Sequence, residues 1–408
     1  LTTPNQPRPR IYFPVALMLL SAAPIAAENP LSILWTGPAI LVASVMIAWG
    51  AEAAQFFMAQ GFALVILAWM QCLPEFAVEA VLAWHQQNHL LIANLTGAIR
   101  LLTGLGWPMI YATAAFAYRQ KNKEAMRVIE VDRVQSIQIV AVLVCLVYVA
   151  VLCVKNSLTV IDGALLLALY AGYLLLLRKI PAEGGEDVEE LGRIPKAIVK
   201  AARPTRIFSI LFLFGLGGAL IFFAADPFVG SLFAISTTLG VSQFVFIQWI
   251  APFISEFPEQ VSAFYWARGI DKASLALMNM VSSNITQWTL LAATLPIVLS
   301  FSHGAPTPIV FDAQQSREMW MTLGQSLLGI LFLLEMHLVW WEAAGLFGLF
   351  VLSLALPALH DWFTYAYFAW SALEVVKLAW ERKWPKAFTD FASIWDDHVA
   401  QPDPGRAL

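Results

Sequence analysis

Two stretches decide how this chain is to be read: Leu73-Pro74-Glu75 and Phe257-Pro258-Glu259. Each follows a long apolar run, and each leads into a further apolar segment carrying Asn. Burying a carboxylate among apolar residues is costly, so an ionisable residue in a membrane segment marks a functional site by default. Proline lacks the N–H that a helix interior needs, so Pro74 and Pro258 predict helix breaks. One such break in each half of the chain is the pattern of a transporter built from internal repeats.

The surrounding composition places both stretches in a membrane. Of 408 residues, 59% are hydrophobic and 13% charged, with mean hydropathy +0.70; this is the balance of a polytopic membrane protein. The net charge of −4 excludes nothing, because charge sorts between loops. Cys72, Cys145 and Cys153 all fall in apolar segments without metal-ligand spacing, which argues against a disulfide framework or a zinc site. No Gly-rich phosphate loop, nucleophile elbow or haem motif occurs, so no enzyme, cofactor or nucleic-acid function is expected. Trp35, Trp84, Trp249, Trp266, Trp340 and Trp341 lie near segment ends, where an interfacial belt would place them.

A helix needs about 20 residues to cross the hydrocarbon core. Apolar segments run near 11–27, 31–50, 53–84, 89–118, 136–154, 157–177, 207–225, 231–266, 272–300, 319–340, 343–358 and 361–381. The expectation is an all-α polytopic protein of about twelve spans. Segments 53–84, 89–118, 231–266 and 272–300 are overlong and carry breakers or polar clusters, which predicts discontinuous helices tolerated only beside protein or water. In this count the basic residues of 119–133, 178–206, 268–272, 382–386 and Arg8–Arg10 share one side, leaving Lys155 and Arg317 opposite. Lys and Arg in short loops favour the cytoplasm. Both termini and loop 178–206 are therefore expected there, in an inner or plasma membrane. Segment 11–27 also reads as a cleavable signal peptide. The 178–206 loop, with its 186–190 acidic cluster, reads as a solvated linker between the halves.

Setting Pro74-Glu75 on Pro258-Glu259 gives an offset of 184 (259 − 75). With one inserted residue, Asn94 falls on Asn279, Gly97 on Ser282 and Ala98 on Ser283. The second break comes five spans after the first, an odd number, so the second copy enters the membrane inverted. Inverted repeats place their site near the midplane.

At these residues the chain resembles the cation/calcium exchanger superfamily, whose two α-repeats each carry Gly-Thr-Ser-x-Pro-Glu and a later Gly-Asn-x-x-Gly-Ser-Asn. The second repeat matches with Ser255-Glu256-Phe257-Pro258-Glu259 and Asn279-Met280-Val281-Ser282-Ser283-Asn284. The first is more eroded: Gln71-Cys72-Leu73-Pro74-Glu75 and Asn94-Leu95-Thr96-Gly97-Ala98-Ile99. The resemblance implies a ten-helix core of two inverted five-helix repeats, 31–177 and 207–358. Residues 1–30 and 359–408 would add a helix at each end, the latter with a cytoplasmic tail. It further implies that Glu75 and Glu259 share a transported cation with oxygens from Asn94, Asn279, Ser255, Ser283 and Gln287. A hard cation wants several oxygen ligands, and two close carboxylates let protons compete. The departures are Gln71, Ala98 and Leu102, where the family pattern has oxygen ligands.

Other readings stand beside these. Glu75 and Glu259 could instead cap freed N–H groups at a break. Glu79, one turn on, could join the site or reach the interface. Asn94 and Asn279 could serve interhelical hydrogen bonding. Arg100 is expected to pair with a motif glutamate and modulate the site as a fixed positive charge, with Glu256 another candidate partner; the other readings are a side chain snorkelling to an interface or facing another subunit. Glu335 and His337 read as an interfacial helix end, and Asp162 and Asp226 as solvated. Phe208, Phe212, Phe214, Phe222 and Phe223 read as lipid-facing or packing surface. The function expected is a cation antiporter moving Ca²⁺ or another cation against Na⁺ or H⁺. The alternative is a non-transporting scaffold of the same fold among other membrane subunits.

Overall fold

The computed structural model describes residues 15, 18–19, 29–57, 72–180, 188, 191–269, 272–381 and 384–400. Most of segment 11–27, much of 53–84, the 186–190 cluster, Arg382 and Lys383 lie outside the described residues. Among the described residues the chain is helical apart from two short strand pairs. Six helices are long and apolar enough to cross a membrane, or seven if one pair bent by 112° counts as a single span.

The first of two compact units, 1–81 with 181–246, is built on α1 (Ile33–Ala54) and a later, longer helix. It also holds most of α2 (Leu73–Trp84). The second, 82–180 with 247–408, contains α3 (Asn88–Leu101), α4 (Trp107–Asn122), α5 (Ser136–Lys155) and α6 (Val160–Leu177). Next along the chain come a short helix, α7 (Arg193–Val199), and α8 (Arg203–Leu239), both in the first unit. Then follow α9 (Gln243–Ser255), α10 (Phe257–Ala267), α11 (Ala273–Thr286), α12 (Ala292–His303) and α13 (Ala313–Leu333). The chain closes with α14 (Trp340–Ala355), α15 (His360–Glu381) and α16 (Lys386–Trp395).

In the first unit α1 and α8 pack along their length. Gly217 makes this possible, because a Cβ there would press on Ile47 and the Ala43 carbonyl. The boundary expected at Asp226-Pro227 is absent: α8 runs through a buried Pro227 and stops at Gly240, whose φ of 66° suits glycine. Asp226 is exposed in mid-helix rather than near an end. Part of the supposed linker is structured, since α7 packs on α1 with Pro195 and Ile198 buried. Phe208, Phe222 and Phe223 are exposed, as suits a lipid-facing surface.

The second unit displays the repeat in its backbone. The helix pair α3–α4 and the pair α11–α12 are each joined by one turn of π-helix, at 102–106 and 287–291. Helix starts and π turns all differ by 185 residues (273 − 88, 287 − 102). Segments 89–118 and 272–300 are therefore continuous bulged helices, not broken ones; the extra residue of a π turn absorbs the irregularity while every turn stays hydrogen-bonded.

Strand pairing shows the inversion. β1 (Val128–Glu130) and β2 (Ser157–Leu158) flank α5, while β3 (Ile309–Val310) and β4 (His337–Val339) flank α13. β1 pairs with β4, and β2 with β3, each antiparallel. Each strand thus meets the non-equivalent strand of the other repeat, as a two-fold relation between inverted copies requires. Side chains repeat the exchange. Gln135 Oε1 accepts from Asp132 N–H at 3.3 Å, and Gln315 Oε1 from Asp312 N–H at 3.0 Å. Gln135 also receives the Ser274 hydroxyl of α11 at 2.8 Å, while Gln315 donates to the Asn88 carbonyl of α3.

The ends of this unit sort as alternate crossings demand. Loop 123–135, β4 and α16 share one end, where Ala387 N–H donates to the Leu334 carbonyl and Arg133 pairs with Asp397 at 2.8 Å. The tail is thus a docked amphipathic helix, with Ala387 and Ile394 buried. Glu335 and His337 lie just past the end of α13. At the other end Asp162 is buried, contrary to expectation, because it caps α6 and pairs with Lys155. Of the expected tryptophan belt, Trp84 and Trp340 are exposed, whereas Trp35 is buried.

Candidate functional site

Both motif glutamates occupy the same place in their helices. Glu75 is the third residue of α2 and Glu259 the third of α10, so the offset of 184 holds in the structure. The first turn of a helix presents unsatisfied N–H groups and the positive end of the macrodipole, which favours a carboxylate. The residue inserted in the second copy lies in the connection after α10, since α3 and α11 begin 185 apart.

Between α9 and α10 the chain bends at Glu256, as predicted for segment 231–266. Pro252 inside α9 and Pro258 at the start of α10 bracket the bend. Hydrogen bonds from Glu256 N–H to Pro252 O (2.8 Å) and from Gln260 N–H to Glu256 O (3.1 Å) carry the backbone through it. Ser255 is buried, and its hydroxyl reaches the Pro252 carbonyl at 3.4 Å. Glu256 is buried too, and it accepts from Gln287 Nε2 at 2.5 Å. Gln287 opens the second π turn, so the bulge and the bend are tied by one amide.

The bulged helices also meet each other's repeat. Asn284 Nδ2 donates to Thr103 Oγ1 of the first π turn at 3.1 Å. Gly97 lies against the backbone of α9, where any Cβ would run into the Gln248 carbonyl. Asn94 is fully buried, Asn279 half-buried, and Ser283 buried at the edge of exposure. In the first unit Glu75 and Glu79 are both buried, at 2% and 1% exposed, so Glu79 does not reach an interface.

Arg100 departs from expectation. Its guanidinium donates to Glu318 Oε2 at 2.9 Å and to Ser353 Oγ at 2.7 Å, and lies 4.9 Å over the Trp249 ring. Gln325 Nε2 donates to its backbone carbonyl at 2.9 Å, and His360 Nε2 stands 3.4 Å from Glu318 Oε1. Arg100 therefore pairs with Glu318, not with Glu75, Glu259 or Glu256, and Trp249 serves this network and not an interfacial belt. A planar fork of donors suits a carboxylate and a hydroxyl held side by side. The sequence reading missed Glu318 because it began that span at 319; α13 starts at Ala313 and carries Glu318 inside. Thr103 and Gln248 were missed as well: one is a lone hydroxyl in an apolar run, the other contributes backbone. Among the described residues no three His, Cys, Asp or Glu side chains gather as a metal-binding group.

Comparison with known proteins agrees with this geometry. The family model described as sodium/calcium exchanger protein matches residues 30–179 and 209–358, one stretch in each half. Among solved structures, an H⁺/Ca²⁺ exchanger, CAX, is 30% identical over 94% of this chain and 95% of its own, with a TM-score of 0.84. YfkE shares the fold at 14% identity over 88% of this chain and 100% of its own, with a TM-score of 0.58. The sodium-calcium exchanger NCX_Mj, in one of its soaked forms, reaches 20% identity over 83% and 99%, with a TM-score of 0.50. No curated protein sequence matches the chain. Matched in both halves by the family model and along nearly its whole length by an exchanger structure, the chain belongs to the sodium/calcium exchanger family of multi-pass membrane cation exchangers.

Proposed function

We propose that this protein exchanges Ca²⁺ for H⁺, with Glu75 and Glu259 as the carboxylates that hold the ion. The observation that carries this reading is the full-length similarity to an H⁺/Ca²⁺ exchanger at 30% identity. Two carboxylates neutralise a dication and are the groups that protons contest when the ion leaves. Asn94, Asn279, Ser255 and Ser283 are the oxygens proposed to complete the shell. Gln287 has its amide nitrogen on Glu256 and is proposed to position that carboxylate beside the site. The absence of a side-chain oxygen at Ala98 and Leu102 on the first-repeat side suits a proton, which needs no ligand shell, better than a full sodium site.

One ground for the scaffold alternative, beside the eroded ligands and the extra terminal spans, was Arg100 filling the place of a cation. With Arg100 spent on Glu318 and Ser353, that objection falls. The one-sided Lys and Arg distribution supports cytoplasmic termini and a cytoplasmic loop 178–206 in an inner or plasma membrane.

The test is flux in liposomes of purified protein loaded with a Ca²⁺ dye. An imposed pH gradient is expected to drive Ca²⁺ uptake, and Glu75→Gln or Glu259→Gln to abolish it. Uptake driven only by a Na⁺ gradient would reassign the counter-ion; no uptake under either gradient would return the scaffold reading.

A further inference from the structure

The C-terminal ends of α4 and α10 frame a cleft of about 970 Å³ that the exchange reaction does not use. Its walls are apolar, with Phe116 (66% exposed) on one helix and Phe264 (41%) on the other. Its rim carries Lys121 and Arg268, both exposed, together with Gln120 and Thr113. Neither cation has an ion-pair partner among the described residues.

The repeat supplies its own control. The equivalent ends in the other copy are those of α12 and α2. There Ser302 Oγ donates to the Trp84 carbonyl at 2.6 Å and accepts from Gln86 Nε2 at 3.2 Å, so the helix ends are bridged. At the offset of 185 Ser302 corresponds to Ala117, which has no hydroxyl and lines the cleft. Arg268 corresponds to Trp84 at 184, and Lys121 to Pro306 at 185. Cations at helix C-termini complement the macrodipole wherever they occur. That alone does not account for two of them over one open, aromatic-walled cleft at one end of a symmetric core.

We infer that this cleft binds an anionic phospholipid, its phosphate held by Lys121 and Arg268 and its acyl chains laid along Phe116 and Phe264. Paired cations above an apolar surface match a lipid with a net negative headgroup. Basic pockets between membrane helices on the positively charged side are where such headgroups bind.

Native mass spectrometry of the purified full chain, offered equimolar phosphatidylglycerol and phosphatidylcholine with the same acyl chains, tests this. Wild type is expected to retain phosphatidylglycerol preferentially. Each cation removed should cut that retention about five-fold, the equivalent of roughly 1 kcal/mol per basic residue. Lys121→Gln with Arg268→Gln should therefore nearly abolish the preference. Ala117→Phe, which fills the cleft and keeps both charges, should reduce it too. Arg119→Gln, on the same helix end but not lining the cleft, should leave it intact. The site is overturned if the double variant keeps its preference, if Arg119→Gln loses as much, or if soluble glycerol phosphate displaces the lipid at matched concentration.

Discussion

The two bulged helices, α3–α4 and α11–α12, share one backbone and divide the chemistry between them. Both carry a π turn at the same repeat position, and each is held at its start by a glutamine of the other repeat. Their side chains diverge. At the residue opening the π turn, the second repeat has Gln287, which turns to Glu256 beside the bend; the first has Leu102. Two residues earlier, the first has Arg100, locked to Glu318 and Ser353, where the second has Ile285. Gln287 of the second copy is bonded to Glu256 at the bend before α10. Arg100 of the first binds α14 through Ser353 and, by way of Glu318 and His360, α15. An inverted repeat can thus keep its backbone symmetry while its two copies take different jobs.

The largest effect should come from breaking what only the first copy has. Arg100→Ile installs the residue of the second copy and strands Glu318 as a buried charge. Removing one partner of a buried pair costs about 3–5 kcal/mol. Adding Glu318→Gln, the residue found at the equivalent Gln138, should recover much of that loss and leave Ca²⁺ affinity unchanged. Equilibrium unfolding in mixed micelles reads the first, calorimetric titration the second. A double variant as unstable as Arg100→Ile alone, or one with altered Ca²⁺ affinity, would contradict the division of labour.

Gly97→Ala is next. The added methyl meets the Gln248 carbonyl, which is backbone and cannot rotate away. Overpacking of this kind costs about 1–3 kcal/mol. Ser282→Ala, the matched change in the second copy, removes only a 3.4 Å contact with the Tyr173 hydroxyl and should stay within about 0.5 kcal/mol. Comparable losses for the two variants would mean that the close approach is not peculiar to the first copy.

Gln287→Leu makes the second copy resemble the first. It removes the amide hydrogen bond to buried Glu256, and a hydrogen bond to a charged group contributes about 1.5–3 kcal/mol. Flux should fall with it, whereas Leu102→Gln is expected to leave flux as it was. Flux unaffected by Gln287→Leu would detach Glu256 from the proposed site.

What could be read from the sequence was what local chemistry encodes. Pro74, Pro258 and the glutamates after them announce helix starts by themselves, and the positions of Asn94 and Asn279 set the repeat to within one residue. The π turns were hidden because Leu102–Gly106 and Gln287–Leu291 share almost no residues; only their backbone is alike. Asp226-Pro227 looked like a boundary, yet tertiary packing against α1 outweighs the local cost of a proline within α8. Arg100 was legible as an anomaly, but its partner lies 218 residues away on a helix whose start was misplaced.

The smallest prediction tests the symmetry itself. Gln135→Ala and Gln315→Ala each remove one side chain that caps its own helix and ties it to the other repeat's bulged helix. A typical intramolecular hydrogen bond contributes about 0.5–1.5 kcal/mol net, and each glutamine makes two. The residues sit at opposite ends of the core, one beside β1 and the other beside β3. Distant sites without shared partners add to within about 0.3–0.5 kcal/mol. The two single variants should therefore cost nearly the same, about 1–3 kcal/mol, and the double variant their sum. Unequal costs would show that the copies differ in their scaffolding as well as in the groups they carry.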